Sequence, residues 1–529
     1  MNILLINAVS PLVLDPAPPL GLLSIASFMQ KEDYNRIKIL DLPICSIKFD
    51  PLCTPEEVAV EQYLLKEIKD FKPDIVGISS FTEFSHITYA ACKSAKIVDD
   101  EIKVVVGGPH ATLAPKRILE TIPFVDYVVR GEGEITFLEL VKFLEGKQEI
   151  KAIQGISYLK DGKVCTNPNR PYIKNLDFLP PPAWELLPSI KSYLSKCYTK
   201  SSPVVIVGSR GCPFSCTFCA SSKIWEHCWR PLSPERVIDQ IRVFSEEYGI
   251  REIIFADDIF GVNKKRALKL CRLIKESNME IKWWCMTRAD AIDKELLINM
   301  RNAGCVEIGF GIESINENIR NNIYKKRLPT SQIKKAISLS QEMNFNLFLS
   351  FILSPYDSIS TIKEHITFLK SIKPVYTRIH ILKAYYGTAI RELLEKDGLL
   401  TPTPNNNLLI DLEMHGDLGL YPVDNRLCKI QKGLRNSYAG LLSYDYADKR
   451  LPIVASFISL LENIKENYFR NIADRKMTYI EQDSDLCKWD HEMSYKGLEF
   501  IVSNYNKIDR SLTVETVQNL MESFIANVI

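Results

Sequence analysis

Two series of short apolar runs, each interleaved with helical stretches, constrain the fold more than any other feature of this chain. The first series covers residues 3–8, 37–42, 75–80, 104–106 and 127–129, with helical candidates between them such as 55–71 and 85–98. The runs alternate little between apolar and polar residues, which predicts strands covered on both faces. Strands alternating with helices predict an α/β fold, here a doubly wound parallel sheet over residues 1–147. A second series starts near Val204, with strand candidates at 204–207, 252–256, 281–287, 306–312, 346–353 and 378–382. Helical candidates at 233–248, 265–276 and 331–343 alternate with them. Six such units predict most of a β/α barrel over residues 201–400, with reactive groups at the carboxyl ends of its strands.

Residues 148–200 read as a linker that packs between these two parts. It holds a hairpin, ISYLKDGKVCT (156–166), whose Asp161-Gly162 suits a two-residue turn, and a proline-broken stretch, FLPPPAWELLP (178–188). After TPTPNNNL (401–408) the pattern changes, and residues 401–529 read as a mainly helical domain. Its apolar run IVASFISLL (453–461) is nine residues long, which suits a buried core.

At 529 residues the chain exceeds one ordinary core. Its 66 basic and 65 acidic side chains leave a net charge of +1, so no global field favours nucleic acid or a membrane surface. No run of about 18 apolar residues occurs, so no membrane span is expected. The opening MNILLINAVSPLVL lacks a basic region and a cleavage site, and reads as a first strand. A cytoplasmic location is expected.

Fourteen cysteines are many for such a compartment. Eleven are scattered singly, but Cys212, Cys216 and Cys219 crowd into SRGCPFSCTFCASS (209–222), directly after the apolar run VVIV. Three thiolates on one loop can hold three irons of a [4Fe–4S] cluster and leave the fourth iron open. A structural zinc site normally wants four ligands in paired spacing. His227 or Cys228 would have to complete it, and the end of a barrel's first strand is an odd place for one.

The loops after the first series of strands are rich in small residues: PAPPLG (16–21), SSFTEF (79–84), GGPHAT (107–112) and GEGE (131–134). In an open α/β sheet, ligands sit at this edge, and glycine lets backbone amides approach them. Ordinary tight turns would look the same.

CPFSCTFC at the end of a first barrel strand resembles the radical S-adenosylmethionine (SAM) superfamily. FADDIF (255–260), TRAD (287–290) and FGIES (310–314) fall at the next three strand ends, as in that superfamily. The resemblance implies that the open iron takes the amino and carboxylate groups of SAM. Reductive cleavage of SAM then gives a 5′-deoxyadenosyl radical that abstracts hydrogen from the substrate. It makes Asp257 or Asp258 a candidate acceptor from the SAM ammonium or ribose. Arg288 is a candidate clamp for the carboxylate, as its planar fork suits. Glu313 and Ser314 are candidates for the ribose or methionyl end, and Phe218 for flanking adenine. Each of these side chains would otherwise be a rim ion pair or core packing.

The sheet joined to such a barrel resembles the cobalamin-binding radical SAM subfamily over roughly residues 1–390. PPLGLLSIAS (18–27), GGPHAT and VRGEGE (129–134) look like its loops. Gly21, Ser79, Thr82, Gly107, Gly108 and Gly131 are then candidate neighbours of cobalamin. None of the seven histidines has an aspartate two residues before it, so the Asp-x-His-x2-Gly motif of His-ligated cobalamin proteins is absent. Cobalamin would bind without a protein histidine, or has been lost. His86 and His110 are expected to be ordinary loop histidines. The methylthiotransferase branch fits poorly: Cys45, Cys53 and Cys92 are not at matching loops, and the C-terminal part reads helical.

The resemblance implies a C-methyltransferase in which methylcobalamin delivers a methyl group to a substrate radical and a second SAM restores it. Ring formation or another skeletal reaction on the same architecture is the alternative. A non-catalytic iron–sulfur or cobalamin sensor would not need FADDIF, TRAD and FGIES. The substrate stays open among small molecules, lipids and peptides. Flavodoxin or ferredoxin is the implied electron donor.

Overall fold

The structure, a computed structural model, describes residues 1–399 except 12, 14–15, 48–54, 195–203 and 373–375. The helical region expected over 401–529 lies outside the described residues, as does Cys53.

The first sheet contains β1 (Ile3–Asn7), β2 (Ile37–Asp41), β3 (Ile75–Ser79), β4 (Lys103–Gly107), β5 (Tyr127–Val129), β6 (Ile156–Lys160) and β7 (Lys163–Thr166), in the order β2-β1-β3-β4-β5-β6-β7. The first five strands are parallel, and the order reverses between β1 and β3, the place where such sheets bind ligands. Alternate residues enter different cores: Ile3 and Leu5 pack on one face, Leu4 and Ile6 on the other. This is why the runs show so little polar alternation. The register sets Asn7 beside Ser79 and Ser79 beside Gly107, so three strands end level.

The 156–166 hairpin differs from the linker expected. β6 pairs antiparallel with β5, so the hairpin extends the first sheet. Its turn residues Asp161 (φ 51°) and Gly162 (φ 72°) are left-handed, as a tight two-residue hairpin turn requires. The proline-broken stretch bridges the two parts. The Ala183 N–H donates to Leu23 O at 3.2 Å, and Trp184 stands edge-on to Phe244 at 4.8 Å between centroids.

In the second part, β8 (Val204–Ile206) is followed by a two-residue antiparallel pair, β9 (Ser209–Arg210) and β10 (Arg230–Pro231). Then come β11 (Glu252–Phe255), β12 (Lys282–Thr287), β13 (Cys305–Glu313), β14 (Asn346–Leu353) and β15 (Tyr376–Ile381). β8 and β11–β15 form a six-stranded parallel sheet in chain order, a partial barrel. Several of its helices start on side-chain caps: Ser233 accepts from the Arg236 N–H, Asn263 from Arg266 and Asp293 from Leu296. Trp283, fully buried, packs with Phe255 and Phe260 in the barrel's core. Among the described residues, no helix is long and apolar enough to cross a membrane.

Candidate functional site

The three cysteines lie on one loop, closed at its base by β9 and β10. Asp257, just past β11, fixes that base. Its carboxylate accepts from the Gly208 N–H at 2.6 Å and from Ser209 Oγ at 2.5 Å, while Arg266 donates to Gly208 O at 2.7 Å. Asp257 is buried, and burial pushes its pKa up to about 6 against those hydrogen bonds. It therefore supports the loop from behind, unlike the ligand contact expected of it. Its neighbour Asp258 is exposed as a residue, yet desolvation raises its carboxyl against hydrogen bonding from Ser221 and Gly211, and its charge is felt by Cys212 and Cys219. Gly211 has φ +85°, and a Cβ there would sit 2.1 Å from Cys228 O, so only glycine fits.

The far half of the loop is tied to residues 323–324. The Thr217 N–H donates to Tyr324 O at 3.0 Å, and Thr217 Oγ1 to Ile323 O at 2.8 Å. Phe218, expected beside adenine, meets the buried Tyr324 ring edge-on at 5.2 Å. Cys216 is buried, while Cys212 and Cys219 are half-buried. Burial pushes all three thiols up, Cys219 to about 12, and Lys326 and Arg288 oppose the rise at Cys216. Metal binding must therefore displace their protons. His227, exposed, donates Nδ1–H to Phe214 O at 3.1 Å.

β13 slips register between Gly311 and Glu313, a bulge that leaves Ile312 unpaired and re-aims Glu313. Glu313 sits at φ +65°, a conformation that costs an ordinary residue about 1–3 kcal/mol and gathers at functional sites. Its Oε1 accepts from Lys326 Nζ at 2.9 Å, both groups being buried. A Cβ on Gly311 would lie 2.5 Å from that oxygen. Arg288 donates to both carboxylate oxygens of Asp290 (2.9 and 2.8 Å), to Lys326 O at 2.9 Å, and faces Cys216 Sγ at 3.9 Å. Cys216, Arg288, Glu313 and Lys326 thus form one cluster of charges.

Ser314 does not join it. It is fully buried, and its Oγ meets His365 Nε2 at 3.3 Å. The same nitrogen accepts the Ile315 N–H at 3.0 Å, and burial holds His365 down at about 4. Sequence reasoning missed Lys326 and Arg320. The fully buried Arg320 donates to the carbonyls of Ser314 (2.6 Å), Ile315 (3.0 Å) and Leu328 (2.7 Å), knitting the strap that carries Tyr324 and Lys326. Arg320 and Lys326 are two of three basic residues in an otherwise ordinary IRNNIYKK stretch, which gave no spacing signal.

At the first sheet's carboxyl edge the candidates divide. Gly21, in the first turn of the helix Leu20–Lys31, and Gly131, at φ +71°, each have open space where a side chain would stand. Gly107 ends β4 beside Ser79. Gly108, at φ +91°, is glycine because a Cβ would lie 3.0 Å from the Ser80 backbone, a packing reason. Thr82 is buried and its Oγ1 meets His110 Nδ1 at 3.0 Å. His110 is buried and satisfied by this contact, within the short helix Pro109–Leu113 that follows β4.

The carboxyl edges of the two sheets meet. After β5, Glu132 accepts from Arg210 Nη1 at 2.7 Å and from Arg230 Nη1 at 2.8 Å, and Glu134 accepts from Arg210 Nη2 at 2.7 Å. Glu134 is buried, which would raise its pKa, but Arg210 overcomes this and holds it below the usual range. After β3, Glu83 accepts from Lys383 Nζ at 3.3 Å and from the Tyr385 hydroxyl. After β4, the helix Pro109–Leu113 packs on Ala220–Ile224, directly beyond Cys219. The loop donor set suits a cluster with one open iron. Gly21 and Gly131 leave their backbone uncovered by side chains at this edge, which a ligand lying against backbone requires.

Comparisons with known proteins agree with this layout. Residues 12–141 match the B12 binding domain and residues 206–369 the Radical SAM superfamily. The chain is 36% identical over 407 residues to an uncharacterized methyltransferase, PH0819, of Pyrococcus horikoshii, covering 76% of this chain and 84% of that one. It is 30% identical over 302 residues to the anaerobic magnesium-protoporphyrin IX monomethyl ester cyclase of Cereibacter sphaeroides, covering 55% of this chain and 48% of that one. Among solved structures it resembles the cobalamin-dependent S-adenosylmethionine radical enzyme OxsB with aqua-cobalamin and S-adenosylmethionine bound. The TM-score is 0.63 at 18% identity, covering 99% of this chain and 84% of that one.

Proposed function

Because the chain belongs to the cobalamin-binding radical SAM enzymes, we propose that it methylates an unactivated carbon of its substrate. The observation that carries this reading is the meeting of the cysteine loop with the first sheet's carboxyl edge, through Arg210, Glu132 and Glu134. When bound, the [4Fe–4S] cluster with SAM supplies hydrogen abstraction, and cobalamin supplies a transferable methyl group.

The chain's own residues do the rest. Cys212, Cys216 and Cys219 hold three irons. Lys326 and Glu313 present opposite charges to the carboxylate and ammonium of SAM, and the exposed Asp258 accepts from its ammonium or ribose. Gly21, Ser79, Gly107 and Gly131 border the cobalamin site. The contacts from Glu83 to Lys383 and from Glu132 to Arg210 hold the two edges against each other, which favours exclusion of water that would quench a radical. The electron donor in this reading is flavodoxin or ferredoxin. The location is the cytoplasm, which suits an enzyme that keeps its thiols reduced. The substrate is a small molecule, a lipid or a peptide.

A second reading follows from the cyclase relative: the same site would close a ring. Reduced, cofactor-loaded enzyme given trideuteromethyl-SAM and a pool of candidate substrates separates the two. Methylation predicts a deuterated product with 5′-deoxyadenosine and S-adenosylhomocysteine formed together. Deoxyadenosine without S-adenosylhomocysteine favours ring chemistry, and formation of neither overturns both.

A further inference from the structure

Arg288 carries a job other than the one its type suggests. We infer that it is a positioning residue for the cluster's electrostatics, acting through Cys216 to make the cluster easier to reduce, with Asp290 setting how much of its charge is felt. This rests on the cluster assignment proposed above.

The guanidinium is already engaged. Nε donates to Asp290 Oδ1 at 2.9 Å, Nη2 to Asp290 Oδ2 at 2.8 Å and to Lys326 O at 2.9 Å, and Nη1 points to Cys216 Sγ at 3.9 Å. Four of its five N–H groups therefore have acceptors within the protein. Its flat face is covered by Phe214, 3.7 Å from guanidinium carbon to ring centroid, and the residue is 6% exposed. A carboxylate of SAM would have to compete for the one remaining N–H beside the sulfur. Among the described residues Lys326 pairs with one carboxylate, Glu313, and is the better clamp.

The charge is also well placed for tuning. Arg288 is buried, so its charge is shielded from solvent. Phe214 comes from the cysteine loop itself, between Cys212 and Cys216, so loop and arginine move together. Reduction adds one electron from an external low-potential donor to the cluster and makes it more negative by one charge, with no bond formed or broken. A fixed positive charge on a ligand sulfur favours that state. Hydrogen bonds to sulfur and local charge are known levers on cluster potentials. The bidentate Asp290 opposes the effect, so the two residues act with opposite signs.

The test uses full-length protein reconstituted with iron and sulfide, without SAM, and reads the cluster's midpoint potential by EPR-monitored potentiometry beside iron content. Arg288→Gln is expected to shift the midpoint to more negative values, and Asp290→Asn to more positive ones. Arg288→Lys, which keeps the charge but loses the fork, is expected between wild type and Arg288→Gln. Unchanged midpoints in Arg288→Gln and Asp290→Asn, or shifts of the same sign in both, would overturn the inference. If Arg288→Gln takes up no iron, Asp290→Asn decides: a positive shift supports the inference, and none or a negative one overturns it. If wild type takes up no iron, the cluster assignment itself fails.

Discussion

Replacing Glu132 by glutamine tests how the two halves are held together. The Glu132 carboxylate is 7% exposed and accepts from Arg210 Nη1 (2.7 Å), from Arg230 Nη1 (3.0 and 2.8 Å) and from the Ile173 N–H (2.7 Å). Glutamine keeps one acceptor oxygen but turns an N–H2 toward two guanidiniums. Removing one partner of a buried ion pair costs about 3–5 kcal/mol. Arg210 retains Glu134, which argues for the lower end. Arg230 retains the Ile173 carbonyl and the rings of Tyr172 and Trp225. A loss of about 3 kcal/mol confined to this junction raises its local opening about a hundredfold. Amide hydrogen exchange reads this directly. Peptides covering 130–135 and 207–211 should exchange about a hundredfold faster, while the helix Pro234–Glu247 keeps its protection. Exchange within about threefold of wild type in both segments would refute the reasoning.

Gly211→Ala should abolish cluster loading while the far-UV circular dichroism stays native, since a Cβ meets Cys228 O and the φ is left-handed; full iron content would contradict this. Cys216→Ser should lower retained iron to a small fraction of wild type on reconstitution, measured by iron analysis after desalting. Glu307, buried on β13, is pushed up to about 7 by burial, against an ordinary 4.5. The folded state then binds this proton more tightly than the unfolded one, so stability is full below about 4.5 and falls as pH rises through about 7. Glu307→Gln should be more stable than wild type by about 3 kcal/mol at pH 8 and about equal to it at pH 4, in urea unfolding of the barrel. Identical pH slopes would count against that assignment.

The architecture was legible because strand patterning survives without tertiary context. The runs at 127–129 and 346–353 match β5 and β14 in extent. The hairpin was seen, but not its partner, since antiparallel addition to β5 depends on a long-range pairing. The cysteine loop was legible from spacing alone. The charges around it were less so. Asp257 and Asp258 follow the end of β11, and nothing in FADDIF says which one turns inward. Glu313 was picked by motif, yet its aim depends on a bulge that pattern cannot reveal. Lys326 lies thirteen residues further on, brought back by a strap held by the buried Arg320, by Thr217 and by Arg288. Ser314 shares a motif with Glu313 but faces the other way, because the bulge ends between Gly311 and Glu313 and the chain then turns toward His365.

The central claim is that one chain carries an iron–sulfur cluster and cobalamin on facing edges. Anaerobic reconstitution with iron, sulfide and hydroxocobalamin, followed by desalting and metal analysis, tests it most directly. The account predicts about four irons and one cobalt per chain, with the iron lost and the cobalt kept when Cys212, Cys216 and Cys219 are replaced together. Iron without cobalt in folded wild-type protein would contradict the facing-site account, and retention of neither would contradict the whole of it.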